Sequence, residues 1–266
     1  MRWADRSVAL LRWLLLTATL PTLLVVIWWY ASRDSTHFLF RPLSDIWAAF
    51  RQTWLGPRLV EDVLPSLSRL GQGYAASLLL GVGIGVLIGL HRTLRALVEP
   101  VLEFLRAIPP PALIPLIGLF AGLGDTRRVV IIIAGCVWPI LLNTVEGVRA
   151  VDEVLTDTCR SYRIRGPRRL YHLVLRSASP QIMTGARQAL AIGIILMVIS
   201  ELQRTDRGIG YAVEEFQTSF RYAEMWSGVI MLGLLGVALS LLFRLADQRV
   251  LRWYHGVRAT EKGGRQ

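Results

Sequence analysis

Six stretches of this 266-residue chain are long runs of apolar residues: 13–31, 70–90, 107–124, 129–145, 182–202 and 225–243. Each approaches the roughly 20 residues needed to cross the hydrocarbon core of a bilayer. In lipid the backbone has no water to bond with, so such segments satisfy their own amides as helices. Five of the six carry no charge. The fifth holds Arg187 near one end, where a long side chain reaches back to the headgroups, and finishes in Ser200-Glu201. At 53% hydrophobic residues and a mean hydropathy of +0.45, nothing is left over for a soluble domain. The expected fold is all-α and integral to the membrane. Six transmembrane helices over residues 13–253 form one domain, between a short N-terminus (1–12) and a small, charged tail (254–266). The first segment ends in Trp28-Trp29-Tyr30, an interfacial aromatic cluster and not a small-residue cleavage site, so it reads as a retained helix.

The net charge of +11 orients the chain. With the N-terminus inside and six crossings, two thirds of the 30 basic residues fall on the cytoplasmic side. They include Arg2, Arg6 and Arg12, then Arg92, Arg95 and Arg106, and a group from Arg244 to Arg265. Glu201, Asp206, Glu214, Glu215 and Glu224 fall outside. This positive-inside bias places both termini in the cytoplasm and makes nucleic acid an unneeded explanation of the basicity. Cys136 and Cys159 have neither a disulfide partner nor metal-ligand spacing, and the four histidines are scattered. No nucleophile, phosphate loop or paired catalytic carboxylate stands out, so catalysis and metal binding by this chain are not expected.

Several residues inside the segments are informative. Gly73, Ser77, Gly81, Gly85 and Gly89 recur every fourth position, a stripe that lets another helix approach backbone to backbone. It serves packing inside one protomer, or a contact or gate between two. Pro109, Pro110, Pro111 and Pro115 prevent a regular helix at the start of the third segment. Irregular backbone at that depth belongs against protein or a water-filled cavity. Pro139 and Asn143 put a kink and a polar side chain into the fourth segment. Asn143 suits interhelical hydrogen bonding or a solute path, and Ser200 and Glu201 a solvated rim or a central vestibule. Leu43, Ile46, Trp47, Phe50 and Trp54 predict a short amphipathic helix, on the outer surface or partly buried as a connection. No internal repeat is visible, which weakens the reading of an ion-coupled carrier built from two halves.

Between the fourth and fifth segments lies a basic break, residues 146–187, with Arg149, Arg160, Arg163, Arg165, Arg168, Arg169, Arg176 and Arg187. Residues 151–162 predict a short helix with Asp152 and Glu153 at its N-terminal end. Gly166-Pro167 breaks it, and residues 170–175 lead into the fifth segment. A short helix held by two membrane helices is a lever for a soluble partner.

The chain resembles a family at several points. Leu105-Arg106-Ala107-Ile108-Pro109-Pro110, Ala112-Leu113-Ile114-Pro115-Leu116 and Gly122-Leu123-Gly124-Asp125 are similar to permease subunits of binding-protein-dependent ABC importers, in the nitrate, sulfonate and taurine branch. So are Leu141 to Arg149, and Ser200-Glu201-Leu202 followed by Gly208-Ile209-Gly210-Tyr211. The family's marker reads E-A-A, three residues, G, nine residues, I, one residue, L-P, and forms the coupling helix that docks on the ATP-binding subunit. Here Asp157 stands at its Glu, Thr158 and Cys159 at the two Ala, Arg163 at the Gly, Leu173 at the Ile, Leu175 at the Leu and Arg176 at the Pro. Glycine permits a left-handed turn that arginine resists. The bend is therefore expected three residues along, at Gly166.

The resemblance implies a type I importer bundle in the bacterial inner membrane, forming the pathway for a small, anionic solute. It implies two cytoplasmic ATP-binding subunits, which carry ATP and Mg, a second permease (the same chain or a different one) and a periplasmic binding protein. Asp157, Thr158, Cys159, Arg160, Ser161, Tyr162 and Arg163 would contact the ATPase. Asn143, Ser200 and Glu201 are pathway candidates, and Arg187, Arg204 or Arg207 would attract an anion. The rivals are a multi-pass membrane enzyme or assembly protein binding anionic lipid through the loop, and an ion-coupled transporter.

Overall fold

The glycine stripe sets the fold. The computed structural model describes residues 19–33, 35, 37, 39–122, 124–203, 206–254 and 256. Arg2, Arg6, Arg12, residues 13–18 of the first segment, Leu123, Arg204, Thr205 and the tail beyond residue 256 lie outside them. The described residues are all-helical apart from turns: α1 (Thr19–Ser32), α2 (Leu43–Trp54), α3 (Leu64–Leu90), α4 (Arg92–Ala107), α5 (Ile114–Ala121), α6 (Asp125–Arg149), α7 (Glu153–Ser161), α8 (Gly166–Arg169), α9 (Arg176–Glu201), α10 (Ile209–Thr218) and α11 (Tyr222–Val250). The chain divides into two compact units.

The larger unit, residues 60–211 and 232–266, is built on α3, α6 and α9. A Cβ on Gly73 would strike Ile132, on Gly81 Ile140, on Gly85 Thr144, and on Gly89 Val148. Each partner lies the same number of positions further along, so α3 and α6 run parallel with their backbones in close approach. Ser77 Oγ turns back to donate to the Gly73 carbonyl at 2.8 Å and occupies no extra room. The stripe thus serves packing inside the protomer. On the other side of α6, Gly185 of α9 lies against Pro139 and Asn143, and Gly147 lies against Ala178. That order makes α9 antiparallel. Leu70, Ile131, Ile132, Cys136, Ile140, Ala189, Leu196 and Met197 fill the space between the three helices. With lipid as solvent, this close packing replaces the hydrophobic drive.

Among the described residues, four helices are long and apolar enough to cross a membrane: Leu59–Leu90, Asp125–Arg149, Gly166–Glu201 and Tyr222–Val250. The third apolar segment differs from a simple span. It joins α4 and a second arm, Pro110–Ala121, bent by 86°. Pro109 and Pro110 cause the break, because neither can donate to a continuing ladder. A 3₁₀ turn, Pro110–Leu113, then starts α5. α4 was hidden by its charges, but Leu94, Val98 and Leu102 place one face of it against Ile88, Leu141 and Val145. α1 is a shorter apolar helix within the described residues.

The smaller unit, residues 1–59 and 212–231, contains α1, α2 and neighbouring parts of α10 and α11. α2 is partly buried: Ile46 and Trp54 are fully enclosed, Phe50 nearly so, and Trp47 is exposed. Trp54 Nε1 donates to Ser227 Oγ at 3.0 Å, which satisfies a buried indole. Trp28, Phe40 and Trp226 form an aromatic group.

Candidate functional site

The short helix predicted over residues 151–162 is α7, Glu153–Ser161. Asp152 caps it: its Oδ1 accepts from the amides of Val154 (2.7 Å) and Leu155 (3.2 Å). Such a cap contributes about 1 kcal/mol. Thr156 and Thr158 donate their hydroxyls to the carbonyls of Asp152 and Val154. The C-terminus closes in a Schellman motif, with Ile164 N–H donating to the Cys159 carbonyl (2.8 Å) and Arg163 N–H to that of Arg160 (3.1 Å). The motif needs a left-handed residue after the cap, and Arg163 supplies it at φ 56°. The bend therefore stays at the position where the importer motif has glycine, and is not displaced to Gly166. Gly166, also left-handed at φ 60°, starts α8 instead. No side chain of α7 is buried. Val154, Leu155 and Tyr162 are exposed apolar groups, flanked by Arg160, Arg163 and Arg165. A hollow of about 330 Å3 beside them is lined by Thr156, Arg160, Ile164, Arg165, Gly166 and Arg169. Both ends of this helical segment are anchored. α6 leads in at Arg149, and the π-helical turn Leu170–Leu175 leads out, with Val174 packed against Val86, Val148 and Ala178.

At the opposite end of α9, Glu201 is fully buried. It lines no open vestibule among the described residues. Its carboxylate receives Arg69 Nη1 at 2.8 Å and the Gly210 amide at 3.1 Å. Ser66 Oγ lies 2.7 and 2.8 Å from the two carboxylate oxygens and accepts the Ile209 amide. Arg69 also bonds Asp125 and the Arg207 carbonyl, and Arg128 bonds Asp125. Asp62 accepts the Gly208 amide, and Arg127 donates to the Gln203 carbonyl. This clasp ties the adjoining ends of α3, α6 and α9 to the Gly208–Gly210 turn. Gly208 sits at φ 132°, and a Cβ there would strike the Glu201 carboxylate, so the turn requires glycine on both counts. Removing one partner of such a buried pair costs about 3–5 kcal/mol. Asp125 stands out in the sequence only as the last residue of the Gly122–Asp125 motif, with no role attached, and Arg69, beside an apolar segment, reads as a flanking charge. Ser200, also buried, donates to the Met197 carbonyl.

Towards the α7 end of the same unit, the exposed edge of α9 is polar: Thr184, Arg187 and Gln188. Asn143 lies beside it, donating to the Pro139 carbonyl at 2.8 Å and reaching Gln188 at 3.5 Å. A hollow of about 350 Å3 is lined by Asn143, Gln181, Thr184, Arg187, Asp247 and Tyr254, among others. A second, of about 640 Å3, lies between α9 and α11, and Arg187 and Asp247 border both. They form an ion pair at 2.9 Å.

Residues 78–254 match the family model of the binding-protein-dependent transport system inner membrane component. The chain belongs to this family. It is a membrane-embedded permease subunit of ABC importer type. The permease is 27% identical over 242 residues to the taurine transport system permease protein TauC of Escherichia coli K12, covering 89% of this chain and 88% of that one. It is 26% identical over 237 residues to the putative aliphatic sulfonates transport permease protein SsuC of Bacillus subtilis 168, covering 88% and 86%. It is 30% identical over 192 residues to the bicarbonate transport system permease protein CmpB of Synechococcus elongatus, covering 72% and 69%. Among solved structures, the permease is similar to the MetNI methionine ABC transporter in inward facing conformations (TM-score 0.58, 19% identity, 73% and 94% covered). It is also similar to an amino acid ABC transporter (TM-score 0.55, 16% identity, 82% and 99% covered). At those identities the likeness is one of fold, a type I importer bundle.

In the permease, the polar groups thus sort by place. Glu201 belongs to a clasp that holds helices together, and Ser200 bonds back within its own helix. Asn143 and Arg187 share a hollow. α7 buries no side chain and presents Val154, Leu155 and Tyr162 as large exposed apolar groups.

Proposed function

We propose that this permease is one of two that form the path for a small anionic solute, and that α7 couples the path to two cytoplasmic ATP-binding subunits. ATP and Mg belong to those subunits. Solute arrives from a binding protein on the outer side, and both termini lie in the cytoplasm. The observation that carries the reading is α7 itself: a helix capped at both ends, with no buried side chain, whose left-handed C-terminal residue falls where the importer motif places its bend. A helix so built has its fold assured by local bonds, and its exposed Val154, Leu155 and Tyr162 are free to enter a partner's groove. The TauC, SsuC and CmpB relatives, named for taurine, sulfonates and bicarbonate, support an anionic solute. The charge asymmetry supports the orientation, with the clasp end of α9 outside and α7 inside.

The mechanism follows from the anchoring. When ATP draws the ATP-binding subunits together, a partner gripping α7 pulls α6 at Arg149 and α9 through the π-helical turn. The parallel contact of α3 with α6 makes those helices move as a block, which shifts the populations of inward- and outward-open states. Native Cys159, part-exposed on α7, tests the docking, since Cys136 is buried. N-ethylmaleimide is expected to label Cys159 readily in the stripped permease and at least about tenfold more slowly in complex with ATP-binding subunits, one tenfold step being about 1.4 kcal/mol of protection. Equal rates in the two states overturn the docking.

A further inference from the structure

The hollow between α9 and α11 has a charge imbalance. Arg187, Leu190 and Ala191 line it from α9; Ser240, Phe243, Arg244, Asp247 and Gln248 line it from α11. Ser240, Arg244 and Gln248 follow one another at four-residue spacing and share a face. Arg187 is neutralised by Asp247 at 2.9 Å and lies over the Phe243 ring, with its guanidinium 5.8 Å from the centroid. Arg244 makes no ion pair among the described residues. The hollow therefore carries one net positive charge, within two membrane-spanning helices. Its volume, about 640 Å3, lies in the range of small-molecule sites.

We propose that this hollow is an oxyanion site on the solute path, occupied by the sulfonate or carboxylate head of a small solute. Arg244 is its principal ligand and Arg187 a second, with donors from the Ser240 hydroxyl and the Gln248 amide. Guanidinium forks suit a head with two or three oxygens. Leu190, Ala191 and Phe243 give the organic part an apolar wall. Asp247 is an internal competitor: it holds Arg187 while the site is empty and gives up part of that bond when an external oxyanion enters. This keeps the site from binding its solute too tightly to release. Arg187 lies about 16 Å along α9 from Arg176, at about 1.5 Å per residue. On α11 the lining runs from Ser240 to Gln248, in the half of Tyr222–Val250 that leads to the C-terminus; in the proposed orientation that half is the cytoplasmic one, where a solute would pause before leaving inward. The proposal rests on the solute-path reading above. It identifies a solute class and a place, neither of which the coupling of α7 requires.

The test uses the full-length permease in nanodiscs of neutral phosphatidylcholine, with Ser240→Cys in a Cys159→Ser background. Labelling by the anionic sulfonatoethyl methanethiosulfonate is compared with that by its cationic trimethylammonium analogue. The account predicts about a tenfold preference for the anionic reagent, from attraction of one and repulsion of the other near a unit charge. Millimolar ethanesulfonate slows the anionic reagent, and Arg244→Gln removes both the preference and the protection. Arg187→Gln combined with Asp247→Asn leaves the net charge unchanged and keeps the preference. Equal rates for the two reagents overturn the site. So does protection that appears only when phosphatidylglycerol replaces phosphatidylcholine, which assigns the hollow to a lipid headgroup. Neither outcome touches the Cys159 protection expected of α7.

Discussion

Arg163 shows how a motif position outlives its residue. The Schellman closure of α7 demands φ near +60°, which glycine adopts freely and an L-residue adopts at a cost of about 1–2 kcal/mol. Arginine holds that conformation here because the Ile164 and Arg163 amides are both satisfied by it. The residue type alone pointed to a bend at Gly166; the position in the motif was the better guide, since backbone hydrogen bonds, not the side chain, set the turn. Arg163→Gly is accordingly expected to stabilise α7 by about 1 kcal/mol, offset in part by the greater freedom of glycine in the unfolded chain. Slower amide exchange in residues 153–161 is the measurement; unchanged or faster exchange opposes it. Glu201 carries a second lesson at this scale. As a lone acid at the end of an apolar run it reads as a solvated rim or part of a vestibule, and only the meeting of Ser66, Arg69 and the Gly208–Gly210 turn reveals a buried clasp. Those partners are far apart in sequence, and no local pattern joins them.

At the scale of elements, the apolar runs and the four-residue glycine stripe made most of the bundle legible, because lipid leaves a buried backbone few alternatives to a helix. α4 was not legible. Its Arg92, Arg95 and Arg106 read only as cytoplasmic charges between two spans, and its apolar face interleaves with them at helical spacing. Nor was the 86° bend, since proline announces a break but not its angle. The division of labour along α3 is open to a matched pair of substitutions. A Cβ at Gly85 would meet the Leu141 carbonyl and Thr144 at under 3.0 Å, while one at Gly83 meets nothing within 4 Å. Gly85→Ala is expected to destabilise the detergent-solubilised permease by about 1–3 kcal/mol through overpacking. Gly83→Ala, gaining helix propensity, is expected to leave it unchanged or raise it by up to about 1 kcal/mol. Thermal melting followed by tryptophan fluorescence separates the two; equal shifts would show that α3 and α6 are not in backbone contact.

At the scale of the whole molecule, the larger unit carries a buried polar clasp at one end of α9 and the exposed helix α7 beyond the other. The clasp of Glu201, Arg69 and Asp125 holds α3, α6 and α9 together at the end away from α7, so force on α7 is expected to tilt these helices about that fixed end. The family, and with it the transport role, was readable from ordered short motifs spread over the chain; the sites were readable only in part, because α7 is local in sequence whereas the clasp and the α9–α11 hollow are not. The central claim is that α7 joins this chain to an ATPase. Its most direct measurement is vanadate-sensitive ATP hydrolysis co-eluting with the permease purified from its native membranes, compared with a variant whose residues 157–163 are a Gly/Ser linker. Since α7 buries no side chain, the variant should keep its melting midpoint. The account predicts that hydrolysis co-elutes with the unaltered permease and falls to background with the linker. Undiminished hydrolysis with the linker in place would contradict it.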